Sequence, residues 1–269
     1  MRLQLALALP LGLVAGFLVS APAFAIDTTR LPVKSVDFSF DGPFGTYDRA
    51  ALQRGFQVYK EVCSTCHSLD HIAFHDLDEA GGPGFTEAQA KAIAASYKLP
   101  ADPDDKGDIF DDKGVRLTRA GTLADSFPPP FPNEEAARAN NGGKLPPDLS
   151  MIVKARDGGA AYVYSIATGF HETPPAGFKV PDGTYYNPYF EGWAIGMPNT
   201  ALVANAVTYS DGTKATIEQE AHDVATFLAW ASDTKMEQRK SMGLAVLVFL
   251  VVLSGLLFAA YRKVWKDAH

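Results

Sequence analysis

A mainly helical fold with long irregular connections and one membrane-spanning helix near the C-terminus is what this sequence predicts, on three observations. Several segments repeat apolar residues at three- and four-residue intervals while strand-like alternation is scarce. Between Leu99 and Asn133 the chain is rich in Pro, Gly and Asp and has no sustained period. From Met242 to Tyr261 there is no charged residue, a run long enough for a helix to cross about 30 Å of hydrocarbon. With 269 residues, 47% hydrophobic and 20% charged, the chain suits one globular domain with additions at its ends. No internal repeat interrupts that reading.

Residues 1–25 carry one early cation, Arg2, then an apolar run closing on Ala23-Phe24-Ala25, the small-x-small pattern a signal peptidase reads. An exported domain is expected over 26–234, a juxtamembrane linker over 235–241, the membrane helix over 242–261 and a cytoplasmic tail over 262–269. Cations flank both ends of the apolar run, so the export signal rather than the positive-inside rule sets the orientation. Whole-chain charge is −7, and because Lys235, Arg239, Lys240, Arg262, Lys263 and Lys266 lie at the C-terminal end, the exported domain is more acidic still. Such a domain repels nucleic acid and can speed encounter with a basic partner, although solubility alone would also use the charge.

Thr46 to Tyr59 reads as a helix with Ala51, Leu52, Gly55, Phe56 and Tyr59 on one face. Thr86 to Gln89 is a capping box opening a helix through about Tyr97, and Thr216-Ile217-Glu218-Gln219 opens another running toward Trp230. This last helix is expected to pack on the first, with Gly55 permitting close approach. Shorter helical patches are expected at Glu134 to Asn140, Asp148 to Ala155 and Ala160 to Thr168. Asp102 to Asp112 holds six aspartates against Lys106, but lysines at the fifth and twelfth positions exclude a calcium-binding hand, leaving a solvated loop.

The two cysteines stand in Cys63-Ser64-Thr65-Cys66-His67. Thiols one helical turn apart can add to the two vinyl groups of a haem, and the adjacent histidine then sits beneath the iron. A thioredoxin-like redox pair would need a βαβ context, and zinc would need further close donors, for which His71 and His75 are the candidates. Export, the lack of other cysteines and the immediate histidine select one haem c, attached through Cys63 and Cys66 with His67 as proximal metal ligand. Its second axial ligand would be Met or His. Met151 lies in an apolar helical stretch and reads as core filling, whereas Met197 follows a Gly-, Pro- and aromatic-rich segment that could lay a thioether over a haem face. His71, His75, His171 and His222 remain as alternatives.

Over most of the chain the ordered segments resemble the cytochrome c1 family. They are Arg54-Gly55-Phe56-Gln57-Val58-Tyr59 before Cys63-x-x-Cys66-His67-Ser68; Pro132-Asn133; and Glu135-Ala136-Ala137-Arg138-Ala139-Asn140-Asn141-Gly142. Leu145-Pro146-Pro147-Asp148-Leu149-Ser150, Ala155-Arg156, Asn187-Pro188-Tyr189-Phe190 and Ala194-Ile195-Gly196-Met197 continue the match. The resemblance implies a cytochrome c-like haem domain with Met197 as axial ligand, Met151 as packing, and haem-pocket roles for Asn140, Pro147, Arg156 and Tyr162, with Arg156 near a propionate. Two departures stand out: His75 replaces an Arg of the relatives, and additional cysteines found in some are missing.

The resemblance further implies an electron-carrier subunit of quinol:cytochrome c oxidoreductase, not an enzyme as an isolated chain. It would take electrons from a Rieske iron–sulfur protein, pass them to a soluble or tethered cytochrome c, and pack its anchor against cytochrome b in a bacterial inner membrane, haem domain in the periplasm. Rival readings are a free-standing tethered monohaem cytochrome serving another oxidase or reductase, and a haem-based gas sensor with a displaceable sixth ligand.

Overall fold

The computed structural model describes residues 27–266, the side chain of His171 excepted. The expected signal peptide, 1–25, and the last three residues of the expected tail lie outside the described residues. Two helices form the centre of the domain. α1, Arg49–Glu61, is capped by the Asp48 carboxylate, which accepts from the Ala50 and Ala51 N–H groups. Asp48, not Thr46, therefore sets its start. α6, Ile217–Ser232, begins at Thr216, whose hydroxyl accepts from Gln219 N at 3.2 Å. The returning arm of the expected capping box is missing, because the Gln219 amide donates to Asp223 instead, at 3.0 Å.

Where α1 crosses α6, a Cβ on Gly55 would lie 2.0 Å from the Asp223 carbonyl oxygen and 2.7 Å from Phe227 Cβ. Only a residue without a side chain allows this separation. Beside the crossing, Arg54 forms a two-pronged pair with the fully buried Asp223, at 2.8 and 3.0 Å, and reaches Asp211 at 2.9 Å. Phe56, Tyr59, Phe127 and Phe227 meet around it with ring centroids 5.7–6.1 Å apart. Each buried aromatic side chain contributes about 1.5–3 kcal/mol of burial free energy, so this cluster is the main apolar tie of the domain.

Shorter elements are layered on that pair. α2, Glu87–Ala95, carries the complete Thr86–Gln89 capping box and ends before Tyr97 as the chain enters β1, Lys98–Pro100. β1 pairs antiparallel with β2, Thr118–Ala120, so the predicted irregular connection contains a short ladder. Within it the aspartates close turns: Asp104 accepts from the Lys106 and Asp108 N–H groups, and Asp111 from those of Lys113 and Val115, all at 2.8–2.9 Å. α3, Glu134–Asn140, is capped by Asn133; α4 is Ile152–Ala155; α5, Gly159–Thr168, packs on α6. Helix is expected from Asp148, but its carboxylate is occupied by a turn bond to Ser150 and by bonds to Ser68 and Asp70, and α4 starts later. Met151 ends just outside α4 and is 41% exposed, so it does not fill the core as expected. A second short ladder joins β3, Tyr185–Tyr186, to β4, Ala194–Ile195.

α7, Met236–Val264, has a mean hydropathy of 2.7 over its most apolar stretch, which is wholly unburied, so it is long and apolar enough to span a bilayer. Residues 235–241 differ from the expected linker. They are helical from Met236 and docked on the domain: Glu237 accepts from Tyr47 N at 2.8 Å and pairs with Arg49 at 2.6 Å, while Lys240 Nζ donates to the carbonyls of Phe40, Gly42 and Gly45. The charged first turn of the helix is thus part of the domain surface.

Gly55→Ala should destabilise the domain by about 3 kcal/mol or more, because the methyl group meets backbone on the partner helix. Urea unfolding followed by circular dichroism measures this, and an unchanged midpoint would show that the crossing is looser than described.

Candidate functional site

The segment after α1 decides where the cysteines point. Cys63–Thr65 is a 3-10 turn, with the N–H groups of Cys66 and His67 both bonded to the Cys63 carbonyl at 3.1 and 2.9 Å. This turn holds both thiols and the histidine on adjacent positions of one tight unit. Burial pushes the Cys63 thiol up to about 12, with the neighbouring Cys66 adding to the effect. A redox-active cysteine pair relies on a lowered thiol pKa, and the shift at Cys63 runs the other way. Among the described residues the metal-donor cluster is His75, Asp76 and Glu79, and it includes neither cysteine; the zinc reading gains no support.

His67 is half-buried, and desolvation lowers its pKa despite the opposing bond to Pro147. Its Nδ1 lies 2.8 Å from the Pro147 carbonyl oxygen. A carbonyl only accepts, so Nδ1 carries the hydrogen, and in the neutral ring that burial favours it is Nε2 that keeps a lone pair for a metal. Two thiols, a neutral imidazole and an oriented ring suit a covalently held haem.

Pro147 is held in place by its neighbour. Asp148 accepts from the Ser68 hydroxyl at 2.7 Å, from Asp70 N at 2.9 Å and from Ser150 N at 2.8 Å. Leu149 N adds a bond to the Ser68 carbonyl at 2.9 Å. Burial opposes ionisation of Asp148, but these donors outweigh it and hold its pKa below the ordinary carboxylate value. The clamp joins residues separated by 80 positions, which sequence spacing does not reveal.

Met197 follows β4 in a loop that approaches the same segment: a Cβ on Gly196 would lie 2.7 Å from Lys144 Cγ, three residues before Pro147. The loop is anchored by the buried Asn187, whose amide donates to the Ile166 carbonyl of α5 at 2.8 Å and whose Oδ1 accepts from Tyr189 N at 3.1 Å. Trp193 sits at φ 59, a left-handed conformation costly for an aromatic residue. It is restrained by the Asn187 N–H to its carbonyl at 3.0 Å and by its indole N–H to the Thr29 carbonyl at 3.0 Å. Residues 28–31 complete the strap, with Gly192 N bonded to the Thr28 carbonyl and Leu31 N to that of Pro188.

Arg156 and Tyr162 share a cleft of about 340 Å³ with Arg30, Asp157, Phe190 and Glu191. Arg30 lies over the Tyr162 ring at 5.7 Å and pairs with Asp157 at 3.9 Å. Arg30 was not identified from the sequence; nothing in its local pattern marks a residue that meets Tyr162 across the fold. Asn140 is exposed and returns its amide to the Ala136 carbonyl of its own helix at 2.8 Å, so no bond ties it to His67 or Met197. Of the remaining histidines, His71 is exposed, and His222 lies 3.3 Å from the Asp37 carbonyl and stacks on Phe38.

A family model described as the Cytochrome C1 family matches residues 38–268. A Rhodospirillum rubrum protein named cytochrome c1 is 44% identical over 246 residues, covering 86% of each chain. A Candida albicans protein named cytochrome b-c1 complex catalytic subunit, mitochondrial, is 44% identical over 259 residues, 94% of this chain and 86% of its own length. A Bradyrhizobium diazoefficiens protein named cytochrome b/c1 is 48% identical over 250 residues, 86% of this chain; the alignment spans 35% of that longer relative.

Asp148→Asn should lower stability by about 1–3 kcal/mol by weakening the clamp. The wild-type contribution is present above the unfolded carboxylate pKa and is lost as pH falls through the lower folded value. Urea midpoints measured across acidic pH should therefore converge for the two proteins at the acid end; parallel curves would refute the role of the charge.

Proposed function

The chain belongs to the cytochrome c1 family, and from that premise we propose that it is the one-electron carrier subunit of a quinol:cytochrome c oxidoreductase. The observation that supports this reading is the His67 Nδ1 bond to Pro147, which orients the imidazole with Nε2 free, in the same turn as the two cysteines. Cys63 and Cys66 would hold the haem by thioethers, and His67 Nε2 and the Met197 thioether would ligate its iron. When bound, the group supplies reversible one-electron exchange between ferric and ferrous iron, with no bond made or broken in a substrate.

The protein contributes position and electrostatics. Pro147 keeps the imidazole oriented; the Asn187 and Trp193 ties hold the Met197 loop. Arg156, Arg30 and Tyr162, which line one cleft, would supply cations and a hydroxyl to haem carboxylates, where charge-assisted bonds tune the potential. Asn140 would line the pocket from α3. A thioether ligand favours ferrous iron and raises the potential, which suits an acceptor of electrons from a Rieske iron–sulfur protein and a donor to a cytochrome c.

Cytochrome b is the proposed packing partner of α7 in the inner membrane, with the haem domain on the periplasmic side and the C-terminus in the cytoplasm. The acidic domain would steer a basic cytochrome c. A free-standing tethered carrier shares the ligands, but a family match from residue 38 to 268 favours the assembled subunit.

Membranes from the native source, solubilised gently, should yield this chain with b-type haem in stoichiometric amount and with quinol-oxidising activity. A reduced-minus-oxidised spectrum showing c-type haem alone would favour the free-standing carrier. Met197→Ala should lower the reduction potential and open the reduced iron to carbon monoxide. An unchanged ferric spectrum and potential would remove Met197 from the site.

A further inference from the structure

His75 and Asp76 lie within the Phe74–Leu77 3-10 turn and Glu79 two residues after it, and none of the three takes part in the proposed electron carrier. Their donor atoms all lie within 4.8 Å of one another. His75 Nε2 is 3.7 Å from Asp76 Oδ1 and 3.9 Å from Glu79 Oε1. We propose that these three side chains form a surface site for one divalent zinc-class cation, with solvent completing the coordination.

The argument rests on how each donor is tied. His75 Nδ1 donates to the Leu123 carbonyl at 3.2 Å, a partner outside the cluster that leaves the Nε2 lone pair facing the two carboxylates. Asp76 Oδ2 accepts from Ala73 N at 2.8 Å, leaving Oδ1 toward the imidazole. Glu79 Oε2 is paired with Lys235, leaving Oε1 on the same side. All three residues are thus held at the far atom and open at the near one, the arrangement by which outer hydrogen bonds orient metal ligands. The two imidazole–carboxylate separations of 3.7 and 3.9 Å would need to shorten for an ion to sit within 2.0–2.2 Å of each donor, the usual range for zinc to imidazole or carboxylate. One imidazole with two carboxylates suits zinc better than magnesium or calcium, which prefer oxygen alone.

Lys235 immediately precedes α7, so an ion on Glu79 would link the Phe74–Leu77 turn to the root of the membrane helix. The alternative is a purely charge-paired surface in which a protonated His75 bridges two acids.

The test is zinc chloride titration of the untagged, haem-loaded full chain in detergent, against a chromophoric chelator. One saturable site is expected, weakened at least tenfold in His75→Gln and in Glu79→Gln and unaffected in His71→Gln, with zinc-edge absorption fitting one imidazole and oxygen ligands. Absence of saturable binding, or wild-type affinity in both His75→Gln and Glu79→Gln, would overturn the site and leave the charge-paired surface.

Discussion

The close crossing of α1 on α6 at Gly55 is the constraint on which the other parts of the molecule depend. α1 runs directly into the Cys63–His67 turn, and α6 leads through Asp233 into α7. Bringing the helices to backbone contact therefore sets the Cys63–His67 turn and the long apolar helix in one frame. Apolar packing supplies the attraction, but a cluster of aromatic rings does not by itself select one crossing point. Selection comes from Arg54, whose guanidinium meets the buried Asp223 in a two-pronged geometry next to Gly55. An unpaired Asp223 there would carry a large desolvation cost, so a shifted register is disfavoured as well as the native one favoured.

Outside this pair, the domain relies on polar ties to order its long loops. The Asp148 clamp, the Asn187 anchor and the strap over residues 28–31 each satisfy buried or half-buried backbone groups that no regular element covers. They converge on the segments carrying Pro147 and Met197. A loop held this way can place a ligand with less conformational freedom than its lack of helix or strand suggests, at the cost of local strain such as the left-handed Trp193. The docked first turn of α7 follows the same logic. Glu237 and Lys240 serve as polar anchors to the domain, and apolar exposure begins beyond them.

Helix positions were legible in the sequence to the extent that local chemistry decides them. The Glu134–Asn140 helix and the Thr86 capping box follow from residues within a few positions of each other. The structure departs from local expectation where a side chain takes another partner. Gln219 leaves its capping box for Asp223 one turn on, Asp148 leaves a helical start for the distant Ser68 and Asp70, and residues 235–241 read as a linker because Glu237 and Lys240 show no local reason to be held. Met151 was misplaced for a related reason: an apolar stretch gives hydrophobicity but not the direction in which its first residue faces.

The sequence by itself determined the Cys63-x-x-Cys66-His67 spacing, a C-terminal helix long and apolar enough to span a bilayer, and the helical class, because each depends on short spacing, composition or a single period. It also indicated that Gly55 would stand at a helix contact. Tertiary structure alone decided which carbonyl orients His67, that Arg30 joins Arg156 and Tyr162, and how the Met197 loop is tied. Those features rest on contacts between segments apart in sequence, from Asn187 with Ile166 at 21 positions to His67 with Pro147 at 80 and Thr29 with Trp193 at 164. Their partners are chosen by the path of the folded chain, and no local pattern encodes that path.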